Sequence, residues 1–171
     1  MDYFTILPAE IFYLIQFFGK DAVMRMVSKE YNQKISLIVD NNEWKNIGEN
    51  LRRYVNITSL DLRYNGVITG ESISNLTNLI NLDLWANRII TGESISNLTN
   101  ITSLNLAYNR VITGESISIL TNLVSLNLWE NSVITGKSIS NLTNITSLNL
   151  MYSTITGNSI SNLTNIIRLK Q

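Results

Sequence analysis

The chain has 171 residues, 44% hydrophobic and 15% charged, and its Lys+Arg 13 balance its Asp+Glu 13. A net charge of zero argues against a polyanion-binding surface, which would need a clustered basic excess. Cysteine and histidine are both absent, which removes disulfides, thiol nucleophiles, histidine bases and the usual zinc ligands, so no metal and no cofactor is expected.

At the N-terminus, Leu7-Pro8-Ala9-Glu10-Ile11 opens a helix. Proline suits the first helical position, where its missing N–H is not needed, and Glu10 lies in the first turn, where the helix dipole favours a carboxylate. Ile11, Leu14, Ile15 and Phe18 then fall on one face, and Gly19 ends the element. A second helix from about Lys20 carries Val23, Met26 and Val27 on its apolar side. A third is expected from about Ser28 through Ile35 to Val39, with Trp44 closing the segment. The opening residue Asp2, and the interruption of the run Ile11–Phe18 by Gln16, do not suit a secretory signal. That run is also shorter than the ~20 residues a bilayer span requires. The chain is expected to be intracellular, in cytoplasm or nucleus, with no membrane and no nucleic acid among its partners.

Leu7-Pro8-x-Glu10-Ile11, Val27-Ser28-Lys29, Tyr31 (where a tryptophan is frequent) and Trp44 together resemble an F-box. The resemblance covers about the first 45 residues. It implies that Leu7, Pro8, Ile11, Val27 and Trp44 dock the Skp-family linker protein, and through it a cullin of a ubiquitin ligase. The other reading of the same segment is a helical cap that shields the first repeat of a repeat array. Three helices of this size make a marginal core and are expected to lean on a neighbour.

Directly behind Trp44, Gly48-Glu49-Asn50-Leu51 and Asn56-Ile57-Thr58-Ser59-Leu60 match the later Gly70-Glu71-Ser72-Ile73 and Asn78-Leu79-Ile80-Asn81-Leu82. A degenerate half-repeat therefore starts there with no flexible linker. The stretch Leu60-Asp61-Leu62-Arg63-Tyr64-Asn65 then returns at Leu82, Leu104, Leu126 and Leu148, at a constant spacing of 22 residues. A pattern L-x-x-L-x-L-x-x-N at this period is the signature of a leucine-rich repeat. The expected fold is an α/β solenoid: a short parallel-strand leucine-rich-repeat arc over 46–171, preceded by a small three-helix F-box-like module over 1–45. The arc comprises the half-repeat, five repeats and an incomplete sixth.

Within the first full repeat, Ile57, Leu60 and Leu62 point inward from a strand, and Ile68, Ile73 and Leu76 from the return. Gly70, Gly92, Gly114, Gly136 and Gly157 recur in that return, where a turn at positive φ would explain them. The resemblance implies that Asn65, Asn87, Asn109 and Asn131 are buried and bond to neighbouring backbone. The last repeat is one residue shorter and carries Ser153 in place of that asparagine. The chain then ends within a sixth strand, 166–171. Either Arg168, Lys170 and Gln171 blunt an exposed edge, or the array is a shortened version of a longer one.

Function is sought at positions that differ between repeats. Just after the second leucine stand Arg63, Trp85, Ala107, Trp129 and Met151, and one place on stand Tyr64, Ala86, Tyr108, Glu130 and Tyr152. Trp, Tyr and Arg dominate binding hot spots. Arg63, Tyr64, Trp85, Tyr108, Trp129, Met151 and Tyr152 are therefore expected to form a concave face for a protein substrate. The bland reading is that they only shield the core. Asp61 and Asp83 stand on adjacent strands roughly 5 Å apart, but no nucleophile or third ligand accompanies them, and Arg63 makes them a solvated charge cluster. The Asn-x-Thr matches at Asn56, Asn75, Asn97, Asn100, Asn141, Asn144 and Asn162 are by-products of repeating Asn-Leu-Thr-Asn. The near-identical, Asn/Ile-rich repeats are similar to proteins of large DNA viruses of amoebae or AT-rich protists. The reading is a non-enzymatic adaptor that captures a protein for ubiquitin transfer; the alternative is a stand-alone repeat scaffold with a helical cap.

Overall fold

A computed structural model describes residues 35–38, 51 and 57–171 of the chain. Its strands form one parallel sheet in sequence order: β1 (Ile35–Ile38), β2 (Ile57–Asp61), β3 (Asn81–Asp83), β4 (Ser103–Asn105), β5 (Ser125–Asn127), β6 (Ser147–Asn149) and β7 (Arg168–Lys170). The central leucines pair directly: Leu60 with Leu82, then Leu104, Leu126, Leu148 and Leu169. Parallel neighbours need a crossover. From β2 onward each crossover is a bend followed by one turn of helix: α1 (Gly70–Ile73), α2 (Gly92–Ile95), α3 (Gly114–Ile117) and α4 (Gly136–Ile139), with a 3-10 turn at Gly157–Ile160 in the last repeat.

Helices of four residues cannot persist alone, because nucleation is not repaid over one turn. They are held by what they bury. Ile57, Leu60 and Leu62 from the strand side meet Ile68, Ile73, Leu76 and Leu79 from the return, all essentially inaccessible to water. The same set recurs in each repeat down to Ile155, Ile160 and Leu163, so one apolar core runs the length of the described array. Leu51, in the half-repeat, is buried in that core as its match to Ile73 implies.

The expected third helix is overturned over its C-terminal part. Ile35–Ile38 is a strand, paired in parallel with β2 through Ser36↔Ser59, Leu37↔Leu60 and Ile38↔Asp61, with a register irregularity after Ile35. The physical reason is the sheet itself. Without β1, the backbone of β2 would present a row of unpaired N–H and C=O groups, and an isoleucine-rich stretch is well suited to satisfy them. The first two expected helices, and Leu7, Pro8, Ile11, Val27 and Trp44, lie outside the described residues.

The repeated glycines also differ from expectation. None has a positive φ; each opens its helix at the first position, after an extended threonine. What they need is proximity. A Cβ on Gly70 would sit 2.7 Å from Ser94 Cβ and collide with Ser94 Oγ in the next repeat. Gly92 faces Ser116, Gly114 faces Ser138 and Gly136 faces Ser159 in the same way. Gly157, in the last repeat, has only Gln171 Nε2 at 3.9 Å.

Two ladders of asparagines tie successive repeats. In the first, as expected, Asn87 Nδ2 donates to Leu62 C=O at 2.9 Å and Asn65 C=O at 3.1 Å, while its Oδ1 accepts from Ile89 and Ile90 N–H. Asn109 and Asn131 repeat this pattern. Buried backbone groups in the bend are thereby satisfied. A second ladder, on the far side of the coil, was not anticipated. Asn100, Asn122, Asn144 and Asn165 donate to the carbonyls of Thr77, Thr99, Thr121 and Thr143, each at 2.9 Å. Asn100 and Asn144 of the Asn-x-Thr matches therefore have a structural use.

Candidate protein-binding face

A third asparagine position, between the two strand leucines, shapes the turns at the candidate face. Asn105, Asn127 and Asn149 each accept from the backbone N–H two residues on, at Ala107, Trp129 and Met151. Asp61 and Asp83 stand in the same row and do the same for Arg63 and Trp85, both at 3.0 Å. The paired carboxylates are thus turn-forming acceptors first. Arg63 completes them: its guanidinium lies 2.7 Å from Asp61 and 3.8 Å from Asp83. The Asp61 hydrogen bond, above all, raises the Arg63 pKa. Burial pushes the Asp83 carboxyl above its ordinary value, with Asp61 adding repulsion, while bonds from Trp85 N–H and Asn105 and the Arg63 charge oppose it.

Beyond this row the backbone turns sharply. Asn65 N–H bonds to Leu62 C=O at 3.1 Å, and the equivalents recur at Asn87, Asn109, Asn131 and Ser153. The third residue of each such turn has positive φ: Tyr64 54°, Ala86 52°, Tyr108 55°, Glu130 49° and Tyr152 58°. Glycine or asparagine normally fills such a position. Holding a side chain there costs of order 1–2 kcal/mol. Tyrosine nevertheless occupies it three times, and it is 59% exposed at Tyr64 and 74% at Tyr152.

These side chains meet across repeats because the ladder continues past the strands: Tyr64 N–H bonds to Trp85 C=O, and Tyr108 N–H to Trp129 C=O, both at 3.0 Å. Tyr64 and Trp85 have ring centroids 5.1 Å apart at 50°, and Tyr108 and Trp129 pack edge to face at 4.8 Å. Such geometries contribute about 0.5–1.5 kcal/mol beyond the area they bury. The hydrogen bond to Glu130, first, and its charge hold the Tyr108 hydroxyl protonated above the usual phenol range; Arg110 pulls the other way.

Between the two aromatic pairs lies a groove of about 470 Å³ lined by Tyr64, Trp85, Ala86, Tyr108 and Trp129, with Arg88 and Arg110 at its rim. The structure thus brings Tyr64, Trp85, Tyr108 and Trp129 together. Arg63 sits beyond one end with its carboxylates, and Met151 and Tyr152 beyond the other. Arg88 and Arg110 were missed. They follow the ladder asparagine, where other repeats have Gly66, Ser132 and Thr154, and that variation between repeats was the available signal. Among the described residues, no group of His, Cys, Asp or Glu could hold a metal ion, and no helix is long and apolar enough to cross a membrane.

The recurrent core, the asparagine ladder and the one-register parallel sheet define a leucine-rich-repeat solenoid. A family model described as a leucine-rich repeat matches residues 55–76 and 97–118. The structure is similar to that of an internalin (inlF) from Listeria monocytogenes, with 26% identity and a TM-score of 0.62, over 95% of this chain and 52% of that one. The chain therefore spans about half the length of the internalin it matches. It is also similar to an internalin C2 from the same organism, with 20% identity and a TM-score of 0.49, over 80% of this chain and 70% of that one. No curated protein matches the sequence.

Proposed function

We propose that the chain is a non-enzymatic binding protein whose sheet face captures another protein through Tyr64, Trp85, Tyr108 and Trp129, flanked by Arg63, Met151 and Tyr152. The observation that carries this is the run of exposed or half-exposed side chains held at positive φ. Backbone strain of this kind persists where the side chain it presents is useful, and glycine at those five positions would serve the fold better. The experiment compares protein capture by the full chain with capture by a Trp85→Ala/Trp129→Ala variant and by Glu93→Lys/Glu115→Lys, a charge reversal on the helix side. A buried aromatic anchor is worth about 2 kcal/mol or more. Capture should fall at least ~30-fold in the first variant and persist in the second. Equal capture by all three would refute the reading.

A second reading rests on the likeness of residues 1–45 to an F-box. In it, Leu7, Pro8, Ile11, Val27 and Trp44 dock the Skp-family linker, the captured protein is presented to a cullin ubiquitin ligase, and the chain works inside a cell. The strand at Ile35–Ile38 weighs against its third helix, so the stand-alone scaffold is the reading preferred. A pull-down of the linker protein, with Leu7→Ala/Pro8→Ala beside it, separates the two. Binding that the double variant loses would establish the adaptor; no binding by the folded chain would dismiss it.

A further inference from the structure

The groove has a particular occupant written into the repeat pattern. At each junction the second variable residue of one repeat lies beside the first of the next, bonded through the backbone: Tyr64 with Trp85, Ala86 with Ala107, Tyr108 with Trp129, Glu130 with Met151. The first and third junctions hold aromatic pairs. The second, between them, holds Ala86 and the buried Ala107, and the groove lies over Ala86, where Tyr64 and Tyr108 stand in the neighbouring repeats. Its rim carries Arg88 and Arg110 on the two repeats that contribute the alanines. Both are exposed, and among the described residues neither forms a salt bridge, whereas Arg63 has two carboxylates. Two cations on successive turns, outside any ion pair among the described residues, stand beside a gap flanked by aromatic rings.

Resting on the reading that the sheet face binds protein, we infer that this groove takes an acidic segment of the partner, which inserts an aromatic side chain over Ala86 and places carboxylates against Arg88 and Arg110. The inserted ring has rings on both sides at the spacing at which aromatic pairs attract. The two guanidinium groups suit carboxylates in bidentate geometry. Strand spacing also fits. Trp85 and Trp129 are two strands apart, about 9.6 Å, which an extended segment crosses in about three residues, so acidic neighbours of the inserted ring fall within reach of both arginines. A zero net charge over the whole chain makes the preference local to this groove.

The test is selection of displayed random peptides on the full chain, followed by capture of the winners on three variants. Arg88→Glu/Arg110→Glu reverses exposed charges. Ala86→Tyr fills the gap with the residue that Tyr64 and Tyr108 supply at the same place and at the same positive φ, so the backbone accommodates it. Trp85→Ala/Trp129→Ala removes the walls. Expected are peptides that combine an aromatic residue with two or more acidic ones, and capture at least ~tenfold weaker on all three variants. Peptides that need Trp85 and Trp129 but lack acidic residues, or bind the charge-reversed variant unchanged, would overturn this inference and leave the sheet face as a binding surface. No enrichment, or capture indifferent to every variant, would overturn both.

Discussion

The glycine–serine contact between neighbouring helical turns yields a sharp expectation. In Gly92→Ala the new Cβ would meet Ser116 Cβ at 2.6 Å and collide with Ser116 Oγ, well inside van der Waals contact. Neither side can easily give way, because Gly92 opens a helix packed beneath the core and Ser116 belongs to the next helical turn of the stack. Overpacking of this kind costs about 1–3 kcal/mol. Alanine returns up to about 1 kcal/mol through lower freedom of the unfolded chain and better helix propensity. A net loss of about 1 kcal/mol is expected. Gly157→Ala meets nothing closer than 3.9 Å, so only the gain remains, about 0.5–1 kcal/mol. Urea unfolding followed by circular dichroism should separate the two variants by the overpacking cost, roughly 1–3 kcal/mol, provided the m-values agree. Ser116→Gly in the Gly92→Ala background removes both colliding atoms and should recover most of the loss, giving a coupling well above the ~0.5 kcal/mol scatter of independent sites. If both glycine variants lose stability alike, the glycines serve backbone conformation, and the close-approach argument is refuted.

The end of the array offers another test. Ser153 accepts only from Ile155 N–H, at 3.3 Å, so among the described residues no ladder amide reaches Asn131 C=O as Asn131 reaches Asn109 C=O. Ser153→Asn should add that bond and raise stability by about 1 kcal/mol, read as a higher urea midpoint; an unchanged or lower midpoint would show that the shortened bend cannot seat the amide. Asp83→Asn keeps the acceptor for Trp85 N–H that Asn105, Asn127 and Asn149 already provide in their own repeats. Because burial raises the folded pKa of Asp83, its charge lowers stability at neutral pH, and that loss fades as pH falls through the raised pKa towards the unfolded value. The variant should melt above the parent at pH 7, with the gap closing on acidification. A lower melting temperature at pH 7, or a gap that ignores pH, would count against burial as the cause.

The sequence made the solenoid legible because the positions that fill the core recur without drift; Leu60, Ile68 and Ile73 could each be placed inside from spacing, and Asn65 from the resemblance to leucine-rich repeats. The first strand was not legible in that way. Ile35-Ser36-Leu37-Ile38 is a short apolar run that suits a helix face as well as a strand, and its partner, β2, is distant in sequence. The glycines were visible as a pattern, but their cause lies in Ser94, Ser116, Ser138 and Ser159, one coil further on. The second asparagine ladder hid in Asn-Leu-Thr-Asn, a motif that also matches a glycosylation acceptor. The aromatic strip was visible in the variation between repeats, yet Arg88 and Arg110 stand just beyond it, past the ladder asparagine. What sequence could not supply was the pairing across junctions that leaves a groove over Ala86.

The bare glycines also set how far the array bends. On the sheet side, successive coils are held at about 4.8 Å by backbone bonds, a fixed ruler. On the other side the second asparagine ladder ties the coils through side chains alone, and at the helical turns the separation is whatever the facing atoms allow. With a serine nested against a Cα that bears no side chain, the outer edge is drawn in towards the inner spacing, and the wedge angle between coils shrinks. A row of alanines there would splay the outer edge and curl the sheet more tightly. The glycines therefore favour a broad, shallow surface, suited to lying against the flank of a folded partner rather than gripping a slender rod.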